Sequence, residues 1–410
     1  MKLHSFEIKS YRSCVKTTLN LHEELTGLIG INGAGKTNLL NAVQLLKKIS
    51  ISRNIPYKSR ESIFNRCKVN LEIEHEKKLI YAKGDIFFDT DERNIDDVQF
   101  STIKWNFKNF SNFSKWVELP MEFFFSVLRR NLHYDLSSRH ATYEFWNRYS
   151  NIEKLPKKII VLLPIIGNFF NSINYYSASQ FSDPSKCPIS IELDENRPIR
   201  RFKAGIGHDQ FLLDLYKEYE MDSKLYKKFF NTVNKFGLCL VDDITFNKVD
   251  MPSSSYEIKT GGKIKETKRN RILIVPCFVV SGNNLSPNQL SEGTLKTLAL
   301  LFYALTDDSK LLLIEEPEVC IHHGLLNSII AIIKSQSKKK QIIISTHSDY
   351  VLDLLKPENI ILVKKTDKAG TTAKLLTKSL SINAYKALHL YLEESGNLGE
   401  YWKEGGFDNE

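Results

Sequence analysis

The sequence predicts an α/β fold, and three observations carry that prediction. Gly30-Ile31-Asn32-Gly33-Ala34-Gly35-Lys36-Thr37 fits the pattern G-x-x-x-x-G-K-[ST]. Leu311-Leu312-Leu313-Ile314 is a continuous apolar run, as expected of a strand buried on both faces, and it leads straight into Glu315-Glu316-Pro317-Glu318. Gln341-Ile342-Ile343-Ile344 repeats that design and ends in Ser345-Thr346-His347-Ser348. Ligands of open α/β sheets bind outside the carboxyl ends of such strands, where these polar residues fall.

The octapeptide is flanked as its chemistry requires. Leu25 to Ile29 is a short apolar strand ahead of it, and Asn38 to Leu46 reads as a helix behind it. The glycines let successive backbone N–H groups turn inward around an anionic phosphate chain. Lys36 can reach the terminal phosphates, the Thr37 hydroxyl can hold Mg²⁺, and the positive end of the helix points at the same place. Glu315, at the tip of its strand, is placed to orient Mg²⁺ through water; Glu316 beside it is placed to polarise an attacking water as general base. A helix-start acidic cluster would explain the charge but not the preceding strand. His347, one strand further on, can hydrogen-bond a γ-phosphate and sense its loss. Leu290-Ser291-Glu292-Gly293-Thr294 opens a helical run from Leu295 to Leu305 and offers a second anion-binding helix end.

Bulk properties bound the remaining classes. A chain of 410 residues implies two or three compact units. A hydrophobic fraction of 42% with 26% charged residues excludes an intrinsically disordered protein. The net charge of +9 favours nucleic acid or acidic partners only weakly when spread over this length. Cys14, Cys67, Cys187, Cys239, Cys277 and Cys320 are scattered without a C-x-x-C pair, so neither a zinc site nor a disulfide framework is indicated. Buried free thiols in a reducing compartment are the expectation. Met1 to Lys9 alternates like a strand and carries no signal-peptide core. The most apolar stretch, Ile159 to Phe170, is too short to span a bilayer and is broken by Pro164 and Gly167. These features predict a soluble cytoplasmic protein without membrane contact.

Between the motifs, Val69 to His75 has a period-two strand pattern, and Leu79 to Ala82 is its expected neighbour. Residues 115–170 interleave aromatics and bases: Phe123-Phe124-Phe125, Arg129-Arg130, His133, Tyr134, Arg139, His140, Trp146 and Arg148. Such residues can stack on and neutralise nucleic acid, but at helical spacing they more often make a core and a solvated face. Residues 205–240 read as helical, with Leu212, Leu213, Leu215, Tyr216 and Tyr219 along one side. Residues 255–281 read as a hairpin around Gly261-Gly262. Its second arm holds Lys263, Lys265, Lys268, Arg269 and Arg271, a candidate DNA or partner contact or, equally, a solvated edge guarded by charge. After His347, Val351 to Leu355 reads as a helix and Ile360 to Val363 as a strand, followed by a polar and aromatic tail with Gly396 to Trp402. No D-x-D cluster appears there, and no segment sustains heptads.

In combination the motifs resemble the SMC/RecF/OLD branch of the ABC-type ATPases. The elements are Phe6 to Ser13, Gly30 to Asn38, the LSEGT variant of the signature at Leu290–Thr294, Glu315 to Glu318 and Thr346 to Ser348, all in that family's order. The resemblance covers residues 1–50 and 285–410. It implies an ABC-type P-loop ATPase head with a mixed sheet, a flanking antiparallel sheet and a helical insertion subdomain. The expected division is 1–190 for an N-terminal lobe with the phosphate loop and an inserted helical region. Residues 191–284 would form a helical subdomain plus the basic hairpin, and 285–410 a C-terminal lobe.

The implied cofactors are ATP and Mg²⁺. Asn32, Gly33, Gly35, Lys36, Thr37, Asn38 and Arg12 would contact nucleotide. Ser291 and Gly293 would touch the γ-phosphate bound at Lys36 of a second copy, so that ATP clamps a homodimer or higher oligomer and hydrolysis at Glu316 releases it. Glu318 and His322 fall in the segment used across that interface. A glutamine coupling the metal to the helical subdomain is expected, with Gln180 the best candidate. The family commonly has aspartate where this chain has Glu315. The short tail leaves no room for the nuclease fused in OLD-type proteins, so compact heads of this kind resemble ATPase subunits of bacterial anti-phage systems, whose effector, often a nuclease, is a separate chain. A RecF-like repair ATPase that clamps DNA and an ATP-dependent assembly scaffold are the alternatives.

Overall fold

A computed structural model describes residues 1–51, 64–90, 96–110, 115–119, 155–194, 207–259, 263–394 and 396–407. In chain order its strands are β1 (Lys2–Tyr11), β2 (Cys14–Asn20), β3 (Leu25–Ile29), β4 (Asn65–His75), β5 (Lys78–Thr90), β6 (Asp96–Asn106), β7 (Val117–Glu118) and β8 (Ile173–Ser177). There follow β9 (Ile191–Asp194), β10 (Asp243–Lys259), β11 (Lys263–Val280), β12 (Asn283–Leu285), β13 (Leu311–Glu315), β14 (Gln341–Thr346), β15 (Ile360–Thr366) and β16 (Gly370–Leu375). The chain divides into two compact units, one of Met1–Tyr175, Asp308–Glu316 and Ser337–Glu410, the other of Tyr176–Asp307 and Pro317–Gln336.

The first unit is organised by a twelve-stranded mixed sheet in the order β7-β6-β5-β4-β1-β2-β16-β15-β3-β14-β13-β8. The half that contains β3 is parallel: β3 lies between β14, with Leu25 opposite Ile342, and β15, with Gly27 opposite Ile360. β13 joins β14 in parallel, with Leu311 opposite Gln341. β3, β13 and β14 are buried at every position, which is why Leu311–Ile314 and Ile342–Ile344 read as apolar runs rather than alternating ones. The other half, from β1 and β2 through β4 to β7, is antiparallel. There the alternation returns, with Cys67, Val69, Leu71 and Ile73 of β4 turned inward.

Two helices close over this sheet. α1 (Lys36–Ile51) is longer than its apolar pattern alone indicated, and Leu39, Leu40, Val43 and Leu46 are fully buried. α2 (Lys157–Asn171) packs on it. Here the expectation that Pro164 and Gly167 break the apolar stretch is corrected, because one continuous helix runs through both. Ile159, Leu163, Ile166 and Phe170, at helical spacing, are fully buried. Their burial outweighs the cost of about 3 kcal/mol for an interior proline. Among the described residues no helix is long and apolar enough to cross a membrane.

The second unit joins a four-stranded antiparallel sheet, β10-β11-β12 with β9 on β11, to helices α3 (His208–Glu220), α4 (Lys224–Val233) and α5 (Glu292–Thr306). α5 is buried from Leu295 through Leu305, as expected of a helix that is apolar all round. Phe302 on α5 meets Phe211 edge-on at 5.7 Å and Phe229 at 5.3 Å. The hairpin is longer than the sequence suggested. Its first arm starts at Asp243, twelve residues before the expected one, because Asp250, Pro252 and three serines obscure the alternation. The turn at Gly261-Gly262 and the side chains of Lys263, Lys265, Lys268 and Arg269 lie outside the described residues. So does the aromatic and basic run from Phe123 to Arg148. Arg271 pairs with Glu192 of β9 at 2.6 Å.

Next in the chain comes α6 (His323–Ser337). Beyond His347 the helix expected over Val351–Leu355 is instead the short α7 (Asp349–Asp353), capped by Ser348. α8 (Leu376–Ser379), α9 (Ile382–Glu393) and α10 (Leu398–Lys403) complete the tail, with the Gly399 amide donating to Asp353 at 2.6 Å.

Candidate functional site

The loop between β3 and α1 is shaped by two left-handed glycines. Gly33 has φ +80° and open space where a Cβ would stand; Gly35 has φ +103° and none. A Cβ on Gly35 would lie 2.1 Å from Thr371 Oγ1 and 2.9 Å from Ser13 Oγ. Ala34 N–H closes the loop onto the Ile31 carbonyl at 3.2 Å. Lys36, only 6% exposed, donates to the carbonyls of Gly30 at 2.7 Å and Ile31 at 3.1 Å. Its ammonium is thus held at the loop by groups that phosphate oxygens can replace. Asn32 and Thr37 are exposed at the loop and helix start.

A girdle behind the loop fixes its position. Asn38 Nδ2 donates to Ser13 Oγ at 2.6 Å. The Thr371 hydroxyl lies 2.8 Å from Ser13 Oγ and donates to the Ala34 carbonyl at 3.0 Å. Thr371 also donates its amide to the Ser13 carbonyl at 2.8 Å, and its own carbonyl accepts from Thr17 Oγ1. Sequence reasoning missed Thr371. It stands on β16, hundreds of residues from the loop, just after a polar turn and with no local signal.

Arg12, in the turn between β1 and β2, has a left-handed backbone with φ +48°. Its guanidinium pairs with the buried Asp96 at 3.0 Å and lies 5.5 Å from the Tyr11 ring centroid. Asp96 also accepts from the Tyr11 hydroxyl. Burial first, and that carboxylate second, push the Tyr11 phenol well above its ordinary pKa.

The acidic strand end meets the phosphate loop directly. Glu315, 8% exposed, accepts from the Thr37 hydroxyl through Oε1 and from the Tyr175 hydroxyl through Oε2. A hydroxyl and a carboxylate converging at the first turn of α1 are the hard oxygen donors that suit Mg²⁺. Glu316 turns away from the strand with φ +48° while its amide still donates to the Ser345 carbonyl at 2.9 Å. That left-handed step, costly for a residue with a side chain, puts Glu316 Oε1 3.5 Å from His347 Nδ1. Both are more than a third exposed. The first unit therefore assembles Lys36, Thr37, Asn38, Glu315, Glu316 and His347 on neighbouring strand ends.

Ser291, Gly293 and Gln180 belong to the second unit. Ser291 caps α5, its hydroxyl accepting from Thr294 N–H at 3.2 Å. Gly293 packs so closely that a Cβ would lie 2.5 Å from the Cys320 carbonyl. Lys296, one turn on, is 1% exposed and pairs with Glu292 at 2.6 Å, which holds the Glu292 carboxyl below the usual carboxylate range. Gln180 stands on a short 3-10 turn, Ala178–Phe181, where its amide oxygen accepts from Ser177 N–H at 3.2 Å. Glu318 is half-buried, and the exposed His322 accepts from Gly324 N–H at 3.1 Å.

The six cysteines form no disulfide, but the expectation that they are buried holds only for Cys14, Cys67 and Cys187. Cys277 is half-buried, and Cys239 and Cys320 are exposed, each on a left-handed turn. Among the described residues no group of three or more His, Cys, Asp or Glu side chains forms a metal cluster.

No curated protein matches the chain. Several solved structures are similar at low identity. The SMC head domain from Thermotoga maritima is 11% identical, with a TM-score of 0.42 over 92% of this chain and 99% of that one. An SMC head bound to the C-terminal winged-helix domain of ScpA is 14% identical, with a TM-score of 0.47 over 95% and 100%. An Smc head with an extended coiled coil, bound to the C-terminal domain of ScpA derived from Pyrococcus furiosus, is 12% identical, with a TM-score of 0.42 over 96% and 99%. The family model described as "AAA domain, putative AbiEii toxin, Type IV TA system" matches residues 25–353, from the strand before the phosphate loop to past His347. With the loop, the acidic strand end and the histidine strand tip all inside that match, the chain belongs to this AAA-domain family of P-loop ATPases.

Proposed function

We propose that the chain binds and hydrolyses ATP, and that ATP-dependent engagement of two copies regulates a separate effector in bacterial anti-phage defence. The observation that carries the reading is the meeting of the Thr37 hydroxyl and the Glu315 carboxylate, with Glu316 and His347 paired alongside. The backbone amides from Asn32 to Thr37 bind the phosphate chain, and Lys36 exchanges the Gly30 and Ile31 carbonyls for phosphate oxygens. Thr37 and Glu315 would hold Mg²⁺. When bound, Mg²⁺ neutralises the phosphate charge that grows as the γ-phosphoryl group leaves. Glu316 takes the proton of the attacking water, and His347 senses the γ-phosphate beside it. Arg12 contacts the nucleotide from the β1–β2 turn.

In the same reading, Ser291 and Gly293 of a second copy complete the site. Support comes from the rigid start of α5, where Gly293 has no room for a side chain. The defence role is supported by the family description, which names a putative toxin of a type IV toxin–antitoxin system. The test is Glu316→Gln. Hydrolysis should fall roughly 10²–10⁴-fold, and light scattering should find a dimer that persists in ATP and dissociates without it. Wild-type turnover in that variant, or a monomer in ATP at all concentrations, would refute the reading.

A further inference from the structure

We propose that Tyr175 is a positioning residue for Glu315, and that it is what lets the long glutamate side chain hold one fixed carboxylate geometry at this strand end. The proposal rests on the ATP-binding reading above. Glutamate has one more rotatable bond than aspartate, so its carboxylate sweeps a wider volume and loses more rotamer freedom when fixed. At this strand end the extra freedom is removed from outside. Tyr175 on β8, the strand beside β13, donates its hydroxyl to Glu315 Oε2, while Thr37 donates to Oε1. A tyrosine reaches this point on a rigid ring with two side-chain torsions, so it fixes its partner at little entropic cost. With Oε2 tied to the phenol, Oε1 faces Thr37, and these are the two groups that would hold a cation. An aspartate, shorter by one carbon–carbon bond of about 1.5 Å, could not keep both contacts from the same backbone position.

The pairing has no local signal, since the two residues are 140 positions apart. It also makes a specific demand: the phenol oxygen should matter to metal binding and not to metal-free nucleotide binding, which depends on the loop amides and Lys36.

The experiment is equilibrium titration of a fluorescent ATP analogue, with and without Mg²⁺, on wild type, Tyr175→Phe, Glu315→Asp and the double variant. Tyr175→Phe should weaken the metal-dependent component roughly ten- to hundredfold, the worth of one hydrogen bond to a charged group. Metal-free affinity should stay within about twofold, which also reports an intact fold. Glu315→Asp should lose a similar factor, and adding Tyr175→Phe to it should cost less than about twofold more, because the coupling is already gone. An unchanged Mg²⁺ dependence in Tyr175→Phe, or full additivity of the two changes, overturns the proposal. Should Tyr175→Phe lose metal-free binding as well, Glu315→Asp decides alone: unchanged metal affinity overturns the proposal. A wild-type protein that binds no nucleotide would sink the ATP reading itself, whereas normal wild-type binding with an unaffected Tyr175→Phe sinks only the role of Tyr175.

Discussion

Alanine at the two left-handed glycines of the phosphate loop should separate backbone strain from steric exclusion. At Gly33, φ is +80° and a Cβ would meet nothing within 4 Å, so Gly33→Ala incurs only the cost of a non-glycine residue in that region. That cost is about 1–3 kcal/mol, or roughly a thirtyfold loss of the binding-competent loop near its middle value. At Gly35, φ is +103° and the new methyl would stand 2.1 Å from Thr371 Oγ1 and 2.9 Å from Ser13 Oγ. The same strain applies, and Thr371 must also move away from Ala34 and Ser13. Lost hydrogen bonds add about 0.5–1.5 kcal/mol each and overpacking about 1–3 kcal/mol. Gly35→Ala should therefore reduce ATP affinity more than about 10³-fold. Fluorescent-nucleotide titration measures both, with circular dichroism confirming the fold. Thr371→Ala in the Gly35→Ala background removes the obstructing hydroxyl and methyl, and should return affinity towards the Gly33→Ala level. Equal losses at the two glycines, or no relief by Thr371→Ala, would show that the girdle does not constrain the loop.

Two further outcomes follow from burial. Asp96 is 3% exposed, pairs with Arg12 and accepts from Tyr11 and Thr90, so Asp96→Ala should destabilise the protein by about 3–5 kcal/mol in urea unfolding. Asp85→Ala breaks a two-bonded pair with the half-exposed Arg66 and should cost less than about 1 kcal/mol; a ranking in the opposite order would contradict the structure. Burial also pushes the thiols of Cys67 and Cys187 up to about 12 and that of Cys14 upward. A raised thiol pKa keeps the unreactive protonated form through neutral and mildly alkaline pH. Iodoacetamide at pH 8 should thus label Cys239 and Cys320 in the folded protein and leave those three unmodified until denaturant is added, as read by peptide mass spectrometry.

The parallel half of the sheet was legible because burial on both faces writes itself as uninterrupted apolar residues, and because the polar residues that end β13 and β14 follow without a gap. The phosphate loop was legible because its glycines serve a backbone shape that few other residues permit. What escaped were partners chosen by topology. Nothing near Thr371 marks it as the neighbour of Ala34, and nothing near Tyr175 or Asp96 announces Glu315 or Arg12. Pro164 misled in the other direction: a local rule against helix was overruled by packing of a face that local rules do not weigh. Gln180 was found on a turn of its own making, bonded to Ser177, a contact that a search for loop glutamines could not anticipate.

The placement of β3 between β14 and β15 has a consequence for how the protein is made. The strand that bears the phosphate loop leaves the ribosome well before its two neighbours, which are encoded only from Gln341 onward. At about 5–20 residues per second, the wait for roughly three hundred further residues is of the order of 15–60 s. Throughout that interval β3 is an apolar segment with two open edges, needing shelter from aggregation. Nucleotide binding can begin only once β14 and β15 have emerged, so a chain cut short before β14 should carry an intact loop sequence and no ATP.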